Sequence, residues 1–155
     1  MQAVHPPIPL PDPQATAALG RALAPRLRPG DALLLEGGLG AGKTHLARAL
    51  ILALLEAPED VPSPSFTLVQ TYAAPAFDIW HADLYRLGGG ADLAELGLDA
   101  AEGAVMLIEW PDRLAEAPSG ALRLALQAEG QGRVAHLSAA DPGWAARLQG
   151  LADDL

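Results

Sequence analysis

The chain has 155 residues, half of them apolar, and 19 acidic against 10 basic side chains give a net charge of −9. That length suits one domain with a single substantial core, and the acidic balance speaks against a direct grip on DNA or RNA, which needs a Lys/Arg patch. Cysteine is absent, which excludes disulfides, zinc–thiolate sites and thiol nucleophiles together.

The first residues, MQAVHPPIPLPDP, are broken by prolines and lack a basic leader region, so they do not read as a signal peptide. No apolar run approaches the ~18 residues of a membrane helix. A cytoplasmic protein without a membrane segment is expected. Residues 1–11 are expected to form an extended N-terminal tail, lying along the surface or partly disordered, with 12–155 as a single domain. Asp12-Pro13 reads as an N-cap followed by proline at the first helical position. The helix it opens is expected to reach about Leu27, with Leu19, Leu23 and Leu27 on one face.

Ala32-Leu33-Leu34-Leu35 is an apolar run typical of a buried strand, and His45 to Leu55 is an Ala/Leu-rich helical stretch. Between them lies Gly37-Gly38-Leu39-Gly40-Ala41-Gly42-Lys43-Thr44, which fits the phosphate-binding loop pattern G-x-x-x-x-G-K-[ST]. Glycines let the backbone curl so that successive N–H groups face the phosphates, and the helix N-terminus adds about half a positive charge there. Lys43 would reach the β- and γ-phosphates, and the Thr44 hydroxyl would ligate Mg²⁺. Nine of the ten basic residues are arginine, and the only lysine is Lys43. A compact ammonium stands where phosphate oxygens would crowd.

Val61-Pro62-Ser63-Pro64-Ser65 is a stiff loop, since its prolines forbid helix and restrict their neighbours. Phe66–Tyr72 and Phe77–Leu84 read as strands of a hairpin. Asp92–Leu98 is expected to be a short helix ending near Gly97, and Ala104–Ile108 a buried strand closed by Glu109-Trp110-Pro111. Leu122–Gln127 and Arg133–Ser138 read as two strands around a Glu129-to-Gly132 turn, followed from Pro142 by a weak amphipathic helix or a frayed tail. The order of elements gives an α/β fold of P-loop NTPase type, three-layered, with a mixed and partly antiparallel sheet.

Such a loop needs an acid closing an apolar strand to help hold Mg²⁺. Glu109 and Asp83 both qualify, and each is also readable as a solvated strand-end acid. Arg86 could stabilise phosphate charge in cis or pair with a surface acid. The Ser63–Ser65 loop could act as a switch over the γ-phosphate or be a plain connector, and Trp110 could be a core residue or a partner-binding aromatic. The four histidines show no metal-ligand spacing. Guanine-specific P-loop proteins usually read the base with Asn-Lys-x-Asp. This chain has no asparagine and no lysine besides Lys43, so adenine or loose base selection is expected.

With these motifs in order, the chain resembles the TsaE (YjeE) family of P-loop ATPases from bacterial tRNA threonylcarbamoyladenosine biosynthesis. The likeness runs from about Asp12 to Ser138. It rests on Leu39-Gly40-Ala41-Gly42-Lys43-Thr44, Ser63-Pro64-Ser65-Phe66-Thr67-Leu68-Val69, Asp83-Leu84-Tyr85-Arg86-Leu87, Glu95-Leu96-Gly97-Leu98 and Leu107-Ile108-Glu109-Trp110-Pro111. The resemblance implies binding of ATP or ADP with Mg²⁺ and slow hydrolysis by the isolated protein. It also implies action with TsaD and TsaB, TsaD transferring the threonylcarbamoyl group to adenosine 37 of tRNA, so that tRNA is met only through the complex. By position it makes Thr44 and Glu109 the Mg²⁺ ligands and Asp83 an essential acid near the γ-phosphate. Ser65 becomes part of a switch-like loop, and Arg133 matches a Gly-Arg near the nucleotide. Lys43, Asp83 and Glu109 are thus the expected catalytic set.

Departures from the family pattern are Gly38 where an acid is common, whose role could pass to Glu36, and His45 for a second threonine. Ser65 stands where threonine is usual, and Asp112 where glutamate is frequent. Two other readings of the residues stand beside this one: a small-molecule kinase, and a nucleotide-gated binding module with little hydrolysis.

Overall fold

Leu33 and Leu35 point to one side of their strand and Ala32 and Leu34 to the other, and all four are buried. A strand apolar on both faces belongs in the middle of a covered sheet. The computed structural model, which describes residues 1–64, 68–90, 92–98 and 102–155, places it there. In chain order the elements are β1 (Gln2–Ala3), β2 (Ile8–Leu10), α1 (Pro13–Leu23), β3 (Ala32–Glu36) and α2 (Lys43–Leu54). They continue with β4 (Val69–Ala73), β5 (Asp78–Asp83), β6 (Val105–Glu109), β7 (Leu122–Glu129), β8 (Gly132–Ala139) and α3 (Gly143–Arg147). The sheet runs β1-β8-β7-β3-β6-β5-β4, with β2 also on β8. β3 is parallel to both its neighbours, and β5 is parallel to β6. The β4–β5 and β7–β8 pairs are antiparallel, so the sheet is mixed as expected.

One face of the sheet, through Leu33, Leu35, Val105, Leu107, Leu122 and Leu124, packs on α1 and α2. The other, through Leu34, Ala82 and Ile108, is covered by Leu84, Leu98 and Leu114. Among the described residues that third layer holds turns and a 3₁₀ turn over Pro111–Arg113. The helix expected over Asp92–Leu98 is replaced by turns in which Asp92 Oδ1 accepts from Glu95 N at 2.8 Å and Leu93 O from Leu98 N at 2.8 Å. The aspartate bond is that of an N-cap, but Gly97 is left-handed at φ 75° and Leu98 N bonds back to Leu93 O, so the stretch is closed within one turn of its start.

α1 begins as the sequence predicts. Asp12 is extended (φ −150°, ψ 170°), and its Oδ1 accepts from Ala15 N at 2.8 Å ahead of Pro13. The helix stops at Leu23 and tightens into a 3₁₀ turn over Ala24–Arg26, short of the expected Leu27, because Pro25 has no N–H to continue the ladder. Leu19, Leu23 and Leu27 are all buried. Gly20 lets α1 touch α2 backbone to backbone, since a Cβ there would lie 2.6 Å from Leu46 O. Asp12→Ala should lower the unfolding free energy by about 0.5–2 kcal/mol. Denaturant titration of the two chains measures it, and an unchanged midpoint would show the cap to be idle.

Both ends of the chain are docked. The extended stretch 1–11 contributes β1 and β2, with Ile8 and Leu10 buried. The segment after Pro142 forms α3 and a 3₁₀ turn over Leu151–Asp154 rather than a frayed tail. Trp144 is buried and donates from Nε1 to Gly120 O at 2.8 Å. Arg147 pairs with Asp31, and Arg26 donates to the carbonyls of Arg147 and Gln149 and to Asp154. No helix among the described residues is long and apolar enough to cross a membrane.

Candidate functional site

The glycine loop leaves the C-terminal end of β3 and enters α2 at Lys43. Gly37 has φ +148°, and a Cβ there would lie 2.8 Å from Leu126 O and 2.9 Å from Ala41 Cβ, so the turn admits no side chain. At Gly38 a Cβ would meet nothing within 4 Å among the described residues, so none of them crowds out the acid common there in the resembled family. Glu36 does not take its place, because its carboxylate is paired with Arg123 on β7.

Parallel pairing brings the other groups alongside. Glu109 ends β6 in register with Leu35 of β3 on one side and with Asp83 of β5 on the other. The two candidate acids therefore stand side by side at the strand ends facing the loop, where ligands of open α/β sheets bind. Both are buried, with Asp83 7% and Glu109 2% exposed. Thr44 Oγ1 donates to Glu109 at 2.8 Å from Oε1 and 3.0 Å from Oε2. Asp83 Oδ1 accepts from Tyr85 N at 3.0 Å.

Lys43 donates from Nζ to Gly37 O at 2.6 Å and Gly38 O at 2.9 Å. Burial pushes its ammonium below the ordinary lysine range, while the charges of Glu109 and Asp83 act in the opposite sense. Trp110 covers it, the ring centroid 4.3 Å from Nζ. The backbone of Trp110 is left-handed (φ 58°, ψ 54°), which for a bulky residue costs on the order of 1–3 kcal/mol. Tyr85 packs on it with centroids 4.9 Å apart.

Lys43, Thr44, Asp83, Glu109, Tyr85 and Trp110 line a cleft of about 330 Å³ together with Leu39, Gly40, Ala41, Gly42 and His45. A second cleft of about 320 Å³ shares Gly40–Gly42 and His45 with the first and runs to Leu10, Thr16 and Arg133. Arg133 donates from Nη2 to Gly40 O at 3.2 Å, against the back of the loop.

The structure thus brings Lys43, Thr44, Asp83 and Glu109 together and sets Arg133 beside the loop. Ser65 lies outside the described residues, as does the start of the strand expected from Phe66. Ser63 and Arg86 are exposed and do not line the first cleft. Trp110 is neither a core residue nor a detached surface aromatic; it is half-buried and forms a cleft wall. Sequence reasoning leaves His81 without a role, yet it is fully buried with Nε2 2.6 Å from Glu109 Oε2. Its signal is a histidine two residues before Asp83, on the same face of a strand.

Among the described residues no three His, Cys, Asp or Glu side chains converge to hold a metal by themselves. A hydroxyl and a carboxylate 2.8 Å apart at the mouth of a phosphate loop do fit Mg²⁺, which binds few protein oxygens and completes its shell with phosphate and water.

Strand, glycine loop, helix and a carboxylate on the neighbouring parallel strand define a P-loop NTPase-like α/β protein. The family model for the threonylcarbamoyl adenosine biosynthesis protein TsaE matches residues 10–135. The chain belongs to the TsaE family. A Rickettsia conorii protein named tRNA threonylcarbamoyladenosine biosynthesis protein TsaE is 43% identical over 100 residues, 64% of this chain and 57% of that protein. The chain therefore spans less than two thirds of that relative. Proteins of the same name from Synechocystis sp. and Bacillus subtilis are 39% and 35% identical, over 71% and 68% of this chain and 73% and 66% of theirs. The crystal structure of Bacillus subtilis YdiB superposes with a TM-score of 0.74 at 26% identity, covering 95% of this chain and 93% of that one.

Proposed function

We propose that this chain is an ATP-binding and ATP-hydrolysing subunit of the machinery that makes N6-threonylcarbamoyladenosine at position 37 of tRNA. In this reading residues 12–155 form one ATPase domain, which acts in the cytoplasm with TsaD and TsaB and meets tRNA only through them. The observation that carries it is the convergence of the only lysine with Thr44, Glu109 and Asp83 on one buried strand-end cleft.

Gly37 to Lys43 would bind the phosphates, with Lys43 leaving the Gly37 and Gly38 carbonyls for them. Thr44 and Glu109 would hold Mg²⁺, which when bound neutralises phosphate charge. Asp83 would orient the attacking water, Arg133 would brace the loop beside the nucleotide, and Ser65 would belong to a switch over the γ-phosphate. The second cleft, continuous with the loop, is the place for the nucleoside.

The test is calorimetric binding of ADP and ATP with and without Mg²⁺, joined to phosphate release. Thr44→Ala and Glu109→Gln should each reduce the Mg²⁺-dependent gain in affinity while binding without metal changes little. Carboxylate and hydroxyl oxygens are what hard Mg²⁺ takes. Metal-free binding is the control, because Glu109 is buried and its replacement also disturbs the fold's own hydrogen bonds. Full Mg²⁺-dependent hydrolysis by Glu109→Gln would transfer the metal role to Asp83.

A further inference from the structure

His81 is on β5 with Ile79 and Asp83, on the sheet face that packs against α2. An apolar side chain would fill such a place without needing a partner. Instead an imidazole, 0% exposed, has its Nε2 2.6 Å from Glu109 Oε2. The acceptor is a carboxylate, so the proton of this contact is on Nε2. Nδ1 is buried and has no hydrogen-bond partner among the described residues, which suits a bare lone pair better than an N–H. The ring is thereby fixed in one tautomer with one donor, spent on Glu109.

Glu109 is held from two directions, by Thr44 Oγ1 from the loop side and by His81 Nε2 from the strand side. These two donors differ in what they are free to do. Thr44 is itself a group for the metal, whereas His81 is sealed in the core and stays whatever occupies the cleft. A carboxylate on a strand end with no fixed donor would sample several rotamers.

We infer that His81 is a positioning residue that sets the Glu109 carboxylate for Mg²⁺–nucleotide. It rests on the reading of the cleft as a Mg²⁺–nucleotide site, and it adds a buried donor behind the metal's carboxylate. Outer-shell partners of this kind orient ligands and are typically worth 10–100-fold in metal affinity.

The experiment compares ADP binding with and without Mg²⁺ in the unmodified chain, His81→Leu and His81→Gln, together with long-range ¹⁵N–¹H NMR of the histidine rings. His81→Leu should lose about tenfold or more of the Mg²⁺-dependent gain while metal-free ADP binding is retained. His81→Gln, which can still offer an N–H to Glu109, should recover much of that gain. In the unmodified chain, the ring signal missing from His81→Gln should show the proton on Nε2, downfield and slow to exchange, and should move in Glu109→Gln.

Should His81→Leu fail to fold, the NMR tautomer and the Gln variant still decide the matter. An Nδ1–H tautomer, or a Gln variant as deficient as one with no donor, overturns the inference. So does a folded His81→Leu with the full Mg²⁺-dependent gain. If the unmodified chain itself shows no Mg²⁺-dependent binding, the site reading falls and the role of His81 falls with it.

Discussion

Lys43→Ala is expected to remove productive ATP binding. Lys43 is 5% exposed and its ammonium donates to two loop carbonyls, so it is already aimed into the loop that phosphates would fill. No second lysine exists to replace it. Arginine is no substitute, since Arg133, which reaches the loop, lies behind it on Gly40 O. Losing one buried charge-assisted partner costs about 1.5–3 kcal/mol, roughly ten- to a hundredfold in affinity. Titration calorimetry reads this directly, and an unchanged ATP affinity would sink the phosphate-loop reading.

A pH dependence follows from the same residue. Burial holds Lys43 below its ordinary value of 10.5, and phosphate binds the protonated form. Affinity should fall as pH rises, starting below the range of an exposed lysine. The sign for the empty protein is opposite. A lysine whose folded-state value is lowered opposes folding while it is protonated in both states, and that cost fades as pH rises through the folded value.

Much of this site is legible in the amino-acid sequence, for reasons that are local. The glycine loop, its strand and its helix are contiguous, so spacing alone sets their order, and Asp12-Pro13 marks a helix start within one turn. Glu109 closes an apolar run, and period-2 alternation places it on a face with Leu107. What stays open in the sequence depends on pairing across the sheet. Nothing local says that β5 and β6 are parallel neighbours with Asp83 opposite Glu109, so the two acids read as alternatives when they are adjacent. His81 shows its part only once β6 lies beside it. Trp110 is ambiguous for a different reason: its side-chain direction is set by a left-handed backbone that residue type argues against. The Asp92–Leu98 segment misleads because its aspartate cap and Gly97, left-handed at φ 75°, stand too close together to leave more than a turn between them.

The largest effect on turnover should come from partners. The purified chain should hydrolyse ATP slowly, and faster when TsaD and TsaB are added. Among the described residues the first cleft holds the phosphate loop and two acids, but no arginine lines it. Asp83, the acid proposed to orient water, accepts from the backbone of Tyr85. An arginine finger supplied in trans is worth about 10³–10⁵ in rate in other P-loop enzymes, so even part of that contribution is measurable. The arrangement also places the apolar loop tip Leu39, 73% exposed, and Tyr85, 43% exposed, at the cleft mouth, where a completing surface would arrive.

Direct tRNA capture is not expected. The net charge is −9, and Arg26, Arg113, Arg123 and Arg147 are paired with Asp154, Asp112, Glu36 and Asp31. The other five arginines, Arg21, Arg28, Arg48, Arg86 and Arg133, stand against an excess of acids, so few counterions would be released from the phosphate backbone. Steady-state phosphate release from the chain, from the partner pair and from all three with tRNA measures the stimulation, and a gel shift of the chain with tRNA measures the second point. Hydrolysis indifferent to the partners, or tight tRNA binding by the chain alone at physiological salt, would refute this division of labour.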